Sequence, residues 1–152
     1  MKKVYKTTVK RIELKFNKTD IPKCKIYSSA DAYSFAKNFY FDDIDIYESF
    51  FIIGLNSNNT TMMYSKISQG GTCGTVVDIK IICKLAIDSL CDNIILVHNH
   101  PSGNTKPSEA DKYITKKITE GLKLLDITVL DHVIISSEND HYSFADEGLI
   151  NF

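Results

Sequence analysis

One stretch limits what the rest of the chain can be: His98-Asn99-His100-Pro101-Ser102-Gly103-Asn104-Thr105-Lys106-Pro107-Ser108-Glu109-Ala110-Asp111, entered from the apolar run Ile94-Ile95-Leu96-Val97 and followed by a helical pattern. Strand, loop and helix start are predicted in succession. Side chains of an extended backbone alternate between faces, so His98 and His100 point the same way where the buried run meets solvent. Pro101, Gly103 and Pro107 hold the next segment out of regular structure, and Ser108 is placed as a helix N-cap with Asp111 at the third helical position. The helix start thereby returns a carboxylate towards the two imidazoles.

Two imidazoles and one carboxylate form a three-ligand set suited to one Zn²⁺ per chain, held by His98, His100 and Asp111 with a fourth tetrahedral position open. An open position points to catalysis, because zinc lowers the pKa of a water to about 7 provided a base accepts the proton. That base must come from outside the stretch. Each half of the motif is weak alone. A His-x-His pair is more often an ordinary pair of side chains than a ligand pair, and Ser-x-x-Asp opens many helices. Their conjunction at a strand-to-helix junction carries the metal reading.

The pattern of His98, His100, Ser108 and Asp111 resembles, at every spacing, the JAMM/MPN+ metalloprotease motif. Around it, His-Asn-His-Pro-Ser-Gly at 98–103, Leu-Asp-His at 130–132 and Tyr-Ser-Phe-Ala-Asp-Glu-Gly-Leu at 142–149 are similar to the RadC-type branch of JAB domains. The resemblance runs from about Ser28 to the C-terminus. It implies an α/β fold of the α+β type, the MPN/JAB fold, with a mixed sheet flanked by helices. It also implies a glutamate base on an early strand, and Glu48-Ser49-Phe50 before an apolar run ending at Asn56 fits that place. A carboxylate there must lie within one hydrogen bond of the water, to accept its proton and pass it to the leaving amine. Ser108, by the same resemblance, would stabilise the tetrahedral oxyanion, although N-capping is a sufficient structural reason for it.

With 152 residues and 43% apolar content the chain can bury a core of its own. The first 25 residues carry nine cationic side chains against Glu13 and Asp20, a net of +7, which leaves −8 of the overall −1 for the remainder. Residues 1–27 are therefore expected to form a basic strand or arm and residues 28–152 the JAB/MPN domain. The arm could touch nucleic acid or the domain's own acidic face, or simply be a solubilising edge strand. No apolar run approaches the roughly 20 residues of a membrane span, and Met1 to Lys6 leads into further charge rather than a signal core. A cytoplasmic protein with no membrane partner is expected, and its oligomeric state stays open. Cys24, Cys73, Cys83 and Cys91 show no metal-binding or disulfide spacing and are expected to be reduced.

Along the chain, the alternation Ile12-Glu13-Leu14-Lys15-Phe16 predicts a strand, and Ser28 caps a helix to about Tyr40. Ile46 to Leu55 predicts a central strand, Thr60 to Ile67 its hairpin partner, and the loop Ser68 to Thr75 a candidate substrate-binding segment. Asp78 caps a helix through Leu90 with Ile81, Ile82, Leu85 and Ala86 inward and Cys83 and Cys91 in its apolar pattern. The next helix, Ser108 to about Leu125, is expected to bury Tyr113, Ile114, Ile118, Leu122 and Leu125. Ile127 to Ser136 is a second apolar strand. His132 within it is better suited to a hydrogen-bonding role behind the ligands than to ligation. His141 is expected as an exposed turn residue, and Tyr142 to Phe144 close the sheet.

The expected function is a zinc-dependent metallohydrolase of the JAMM class, a peptidase or isopeptidase with an unidentified peptide or protein substrate. Asn99 stands where the deubiquitinating members of the class have serine or threonine, so ubiquitin-like substrates are not implied. Two rivals remain: a DNA-associated protein in repair or mobile-element transfer, which the family name and the basic arm suggest, and a non-catalytic MPN scaffold, which predicts missing ligands. The deaminase signature and His-Glu-x-x-His are both absent.

Overall fold

The computed structural model describes residues 15–40, 43–72 and 74–150. The strand expected at 12–16 falls largely outside them, and Lys15 and Phe16, which are described, lie in no strand. Helix α1, Ser29–Ala36, begins as its sequence dictates: the Ser28 hydroxyl accepts from the Asp31 N–H while the Asp31 carboxylate accepts from the Ser28 N–H. Strand β1, Ser49–Leu55, pairs antiparallel with β2, Thr61–Gln69, and on its other side with β3, Asn93–Asn99. Helix α2, Ile79–Asp88, is capped by Asp78, and α3, Glu109–Lys123, connects β3 to the parallel strand β4, Thr128–Ile135. Strand β5, His141–Ser143, completes a mixed five-stranded sheet in the order β2-β1-β3-β4-β5.

Alternation along β1 and β3 sorts the core into two layers. Phe50, Ile52, Ile94 and Leu96 join Ile82 and Ala86 of α2 and Ile118 and Leu122 of α3 on one face. Phe51, Ile53, Ile95 and Val97 join Ala32, Phe35 and Ala36 of α1 on the other. His98 continues the α3 side and Asn99 the α1 side, and this division organises the site.

Several sequence-based expectations are corrected. The first strand begins at Ser49 rather than Ile46, because residues 43–46 form a turn held by hydrogen bonds from the Ile46 and Tyr47 N–H groups to the Asp43 carbonyl. Helix α2 stops at Asp88 instead of running through Leu90. Leu90 takes the left-handed conformation (φ 53°), and its N–H and that of Cys91 turn back to the Ile87 and Ala86 carbonyls, a Schellman closure. Cys91 thus lies beyond the helix, buried, while Ile81 is 43% exposed. In α3 the buried stripe is Thr115, Ile118 and Leu122; Tyr113 and Leu125 face solvent at 63% and 41% exposure. His141 belongs to β5 and stacks on Tyr33 with ring centroids 4.8 Å apart.

No helix among the described residues is long and apolar enough to cross a membrane. Cys24, Cys83 and Cys91 are free thiols.

Candidate metal centre

The central strand β3 ends with His98 buried and His100 just past the last ladder position, both on the α3 side. The two Nε2 atoms stand 2.9 Å apart. Asp111, in the first turn of α3, places Oδ1 3.3 Å from His98 Nε2 and Oδ2 3.5 Å from His100 Nε2. Among the described residues, these three form a cluster able to hold a metal ion. The spacing fits one: at zinc–nitrogen distances of 2.0–2.1 Å, tetrahedral ligand atoms lie about 3.3 Å from one another. The donor chemistry fits as well. His100 Nδ1 is 2.6 Å from the Asn104 carbonyl, which can only accept, so the proton sits on Nδ1 and the Nε2 lone pair faces Asp111.

Electrostatics follow from these contacts. Hydrogen bonding to Asp111 raises the His100 pKa against the opposing effect of burial, with the Asn104 carbonyl and the charges of Asp111 and Glu48 adding to the rise. Burial pushes the Asp111 carboxyl up, but the facing His100 and His98 imidazoles and the Ser108 hydroxyl outweigh it and hold the group far below the usual carboxylate range. The site gathers two imidazoles and a carboxylate around one point, a donor set for a cation once His100 is neutral.

Ser108 caps α3 as its sequence implies. Its hydroxyl donates to Asp111 Oδ2 at 2.7 Å, its N–H donates to the same oxygen at 2.7 Å, and its Oγ accepts from the Asp111 N–H at 3.1 Å. The cap therefore aims the Asp111 carboxylate. Glu48 precedes β1 and extends its ladder, its N–H donating to Gly71 O and its carbonyl accepting from Gly70 N. The Glu48 carboxylate accepts from the Gly74 N–H at 2.9 Å and lines, with His98, His100, Ser108 and Asp111, a groove of about 580 Å³. The glycine-rich loop forms one wall of that groove. A Cβ on Gly70 would collide with the Gly74 carbonyl, and Gly74 takes a positive φ of 82°, so both positions call for glycine.

The remaining candidate, His132, is fully buried on β4, with Nε2 2.7 Å from His98 Nδ1 and Nδ1 2.6 Å from Thr115 Oγ1. Burial pushes its pKa well below the ordinary value, so the ring is neutral. Sequence reasoning singled out neither Thr115 nor the structural role of Asn99. Thr115 stands one helical turn after Asp111 and so shares its face, a signal open to inspection. Asn99 is wholly buried between the two histidines on the opposite face. Its Nδ2 donates to the Ile44 and Tyr47 carbonyls at 2.6 and 2.8 Å, and its Oδ1 accepts from the Ser49 N–H at 2.8 Å. It pins the segment that carries Glu48.

Comparison with known proteins gives the family. The family model described as RadC-like JAB domain matches residues 26–149. A UPF0758 protein of Flavobacterium johnsoniae is 45% identical over 103 residues, 68% of this chain and 44% of the relative. The UPF0758 protein YfjY of Escherichia coli is 39% identical over 103 residues, 68% of this chain and 64% of the relative. A UPF0758 protein of Porphyromonas gingivalis is 37% identical over 103 residues, 68% of this chain and 45% of the relative. The chain thus spans about half the length of most of these curated relatives, and their names specify no activity.

Proposed function

The chain belongs to the RadC-like JAB domain family, and on that premise we propose that it is a zinc-dependent hydrolase of the JAMM class acting on a peptide or isopeptide bond. The observation that carries the proposal is the convergence of His98 Nε2, His100 Nε2 and the Asp111 carboxylate, each within 3.5 Å of the next, on a groove that Glu48 also lines. A divalent ion bound by those three residues supplies Lewis acidity towards a carbonyl oxygen and acidity to a water.

The chain's own residues do the rest. Glu48 accepts the proton of the attacking water and delivers it to the leaving amine. Its bond from Gly74 N–H fixes one carboxylate oxygen and leaves the other for that exchange. Ser108 faces the same groove and can donate to a developing oxyanion, but only by turning its hydroxyl away from Asp111. The groove walls beyond the ligands are apolar, from Val77, Pro101, Tyr113 and Ile114, which suits the uncharged part of an extended peptide.

Elemental analysis of the purified chain tests the metal reading, and Glu48→Gln tests the base. One zinc per chain is expected, lost in His100→Ala and Asp111→Ala. In Glu48→Gln the amide oxygen can still accept from Gly74, so fold and zinc persist while turnover of a peptide or isopeptide substrate falls by about 10²–10⁴-fold. A folded wild-type chain that takes up no zinc on reconstitution refutes the proposal.

A further inference from the structure

We propose that Thr115 and His132 form a relay that decides which nitrogen of His98 carries its proton and so keeps Nε2 free for a metal, making both of them positioning residues of the site. This rests on the reading of His98 as a ligand. One atom of the chain has a role that admits no choice. Thr115 Oγ1 lies 2.6 Å from the main-chain carbonyl of Asp111. A carbonyl only accepts, so the hydroxyl proton is committed there.

The same Oγ1 lies 2.6 Å from His132 Nδ1. With its proton spent, the hydroxyl can only accept from that side, so His132 carries its proton on Nδ1. His132 is wholly buried, with its ring stacked on Phe144 at 4.7 Å and edge-on to Phe50 at 5.4 Å. A second proton would place an unpaired charge among these rings. Its Nε2 is therefore a bare lone pair. That lone pair stands 2.7 Å from His98 Nδ1, which must then be the N–H donor. His98, holding its one proton on Nδ1, turns an Nε2 lone pair towards His100 and Asp111.

Metal-bound histidines commonly hold their second nitrogen against a carboxylate or a main-chain carbonyl. His100 follows that habit through Asn104. His98 instead leans on a second imidazole, which can donate or accept, so His132 alone imposes no direction. Thr115 supplies the direction, because its own proton is fixed by the α3 backbone. The helix that carries the Asp111 ligand thus also sets the tautomer of the His98 ligand, through one side chain a turn further on.

Thr115→Val keeps the shape and removes the acceptor, leaving His132 free to place its proton on Nε2 and force the opposite tautomer on His98. Thr115→Ser keeps the hydroxyl. Two measurements on full-length protein decide the matter: zinc affinity by competition with a chromophoric chelator, and nitrogen-15 chemical shifts of the imidazoles in metal-free protein at mildly alkaline pH. In the wild type and in Thr115→Ser, His98 and His132 should both be protonated on Nδ1, with zinc affinities equal within about threefold. In Thr115→Val, His98 should show mixed tautomers and zinc affinity should fall about 10–100-fold, the range for loss of a ligand's hydrogen-bond support.

A wild-type His98 protonated on Nε2 overturns the relay, even if Thr115→Val fails to fold. So does a folded Thr115→Val with wild-type affinity and tautomers. A wild-type chain that binds no zinc instead refutes the hydrolase reading. The relay then stands if Thr115→Val shifts the tautomers of the metal-free protein and falls if it does not.

Discussion

Asn99 offers a severe test of how the site is held, because its partners are few, close and known. Replacing it with alanine removes the two bonds to the Ile44 and Tyr47 carbonyls and the one from the Ser49 N–H, all between 2.6 and 2.8 Å. The three bonds contribute about 1 kcal/mol each, and a buried N–H left without a partner costs a further 1–3 kcal/mol. Ser49 is only 4% exposed, so its N–H incurs that cost, whereas Tyr47 is 42% exposed and its surroundings admit water. The expected loss is about 4–6 kcal/mol, or about 8–24 °C in Tm for a chain of this size. Asn99→Asp should be worse despite its matching shape. It removes both donors and sets a carboxylate, without water, against two carbonyl oxygens. Urea and thermal unfolding measure both losses, and a zinc titration asks where the damage falls. The histidines are placed by β3, whose pairing with β1 and β4 does not use the Asn99 side chain, so folded Asn99→Ala should retain zinc while its turnover drops as Glu48 is released. A loss below about 1 kcal/mol, or an aspartate variant more stable than the alanine one, would refute the assignment of these three bonds.

Two further perturbations probe the frame behind the site. Asp131 is 6% exposed, and burial raises its pKa despite bonds from Ser143 Oγ and the Ala145 and His132 N–H groups. A carboxyl whose folded pKa exceeds its unfolded value contributes stability below the unfolded value and loses it as pH rises through the folded one. Asp131→Asn can keep both main-chain bonds and reverse the one to Ser143, so its stability relative to wild type should improve as pH rises from about 4 to 7; a constant difference in urea midpoint across that range would contradict this. Gly54 lies in β1, where an added Cβ would collide with Cys91 Sγ and approach Met63 to 2.9 Å. Cys91 is buried and cannot swing clear, so Gly54→Ala should cost about 1–3 kcal/mol of overpacking. Gly54→Ala combined with Cys91→Ala should recover part of that loss in thermal unfolding, and strictly additive losses would argue against the collision.

The cluster of His98, His100 and Asp111 could be read in the sequence because each of its parts is local. His98 and His100 share a face through the two-residue period of extended chain, and Ser108 with Asp111 forms a cap that closes within a single helical turn. The same locality fixed the start of α1 at Ser28. Apolar type and burial part company at particular positions. Tyr113 and Leu125 flank the stripe that α3 turns inward, and Ile81 lies on the outer side of α2, though all three fit a generous apolar arc. Residues 46–48 fit a strand by composition, yet Asn99, 50 residues away from Ser49, holds the preceding segment in a turn. The supports of the site are distant in the same sense. His132 reaches His98 only because β4 pairs with β3 in a register that sets His132 beside Leu96, one pleat from His98 on the same face. Thr115 joins them only because α3 crosses that face between the two strands. A local pattern can therefore announce a cluster able to hold a metal, while the hydrogen bonds behind that cluster depend on a strand register that no spacing in the sequence states.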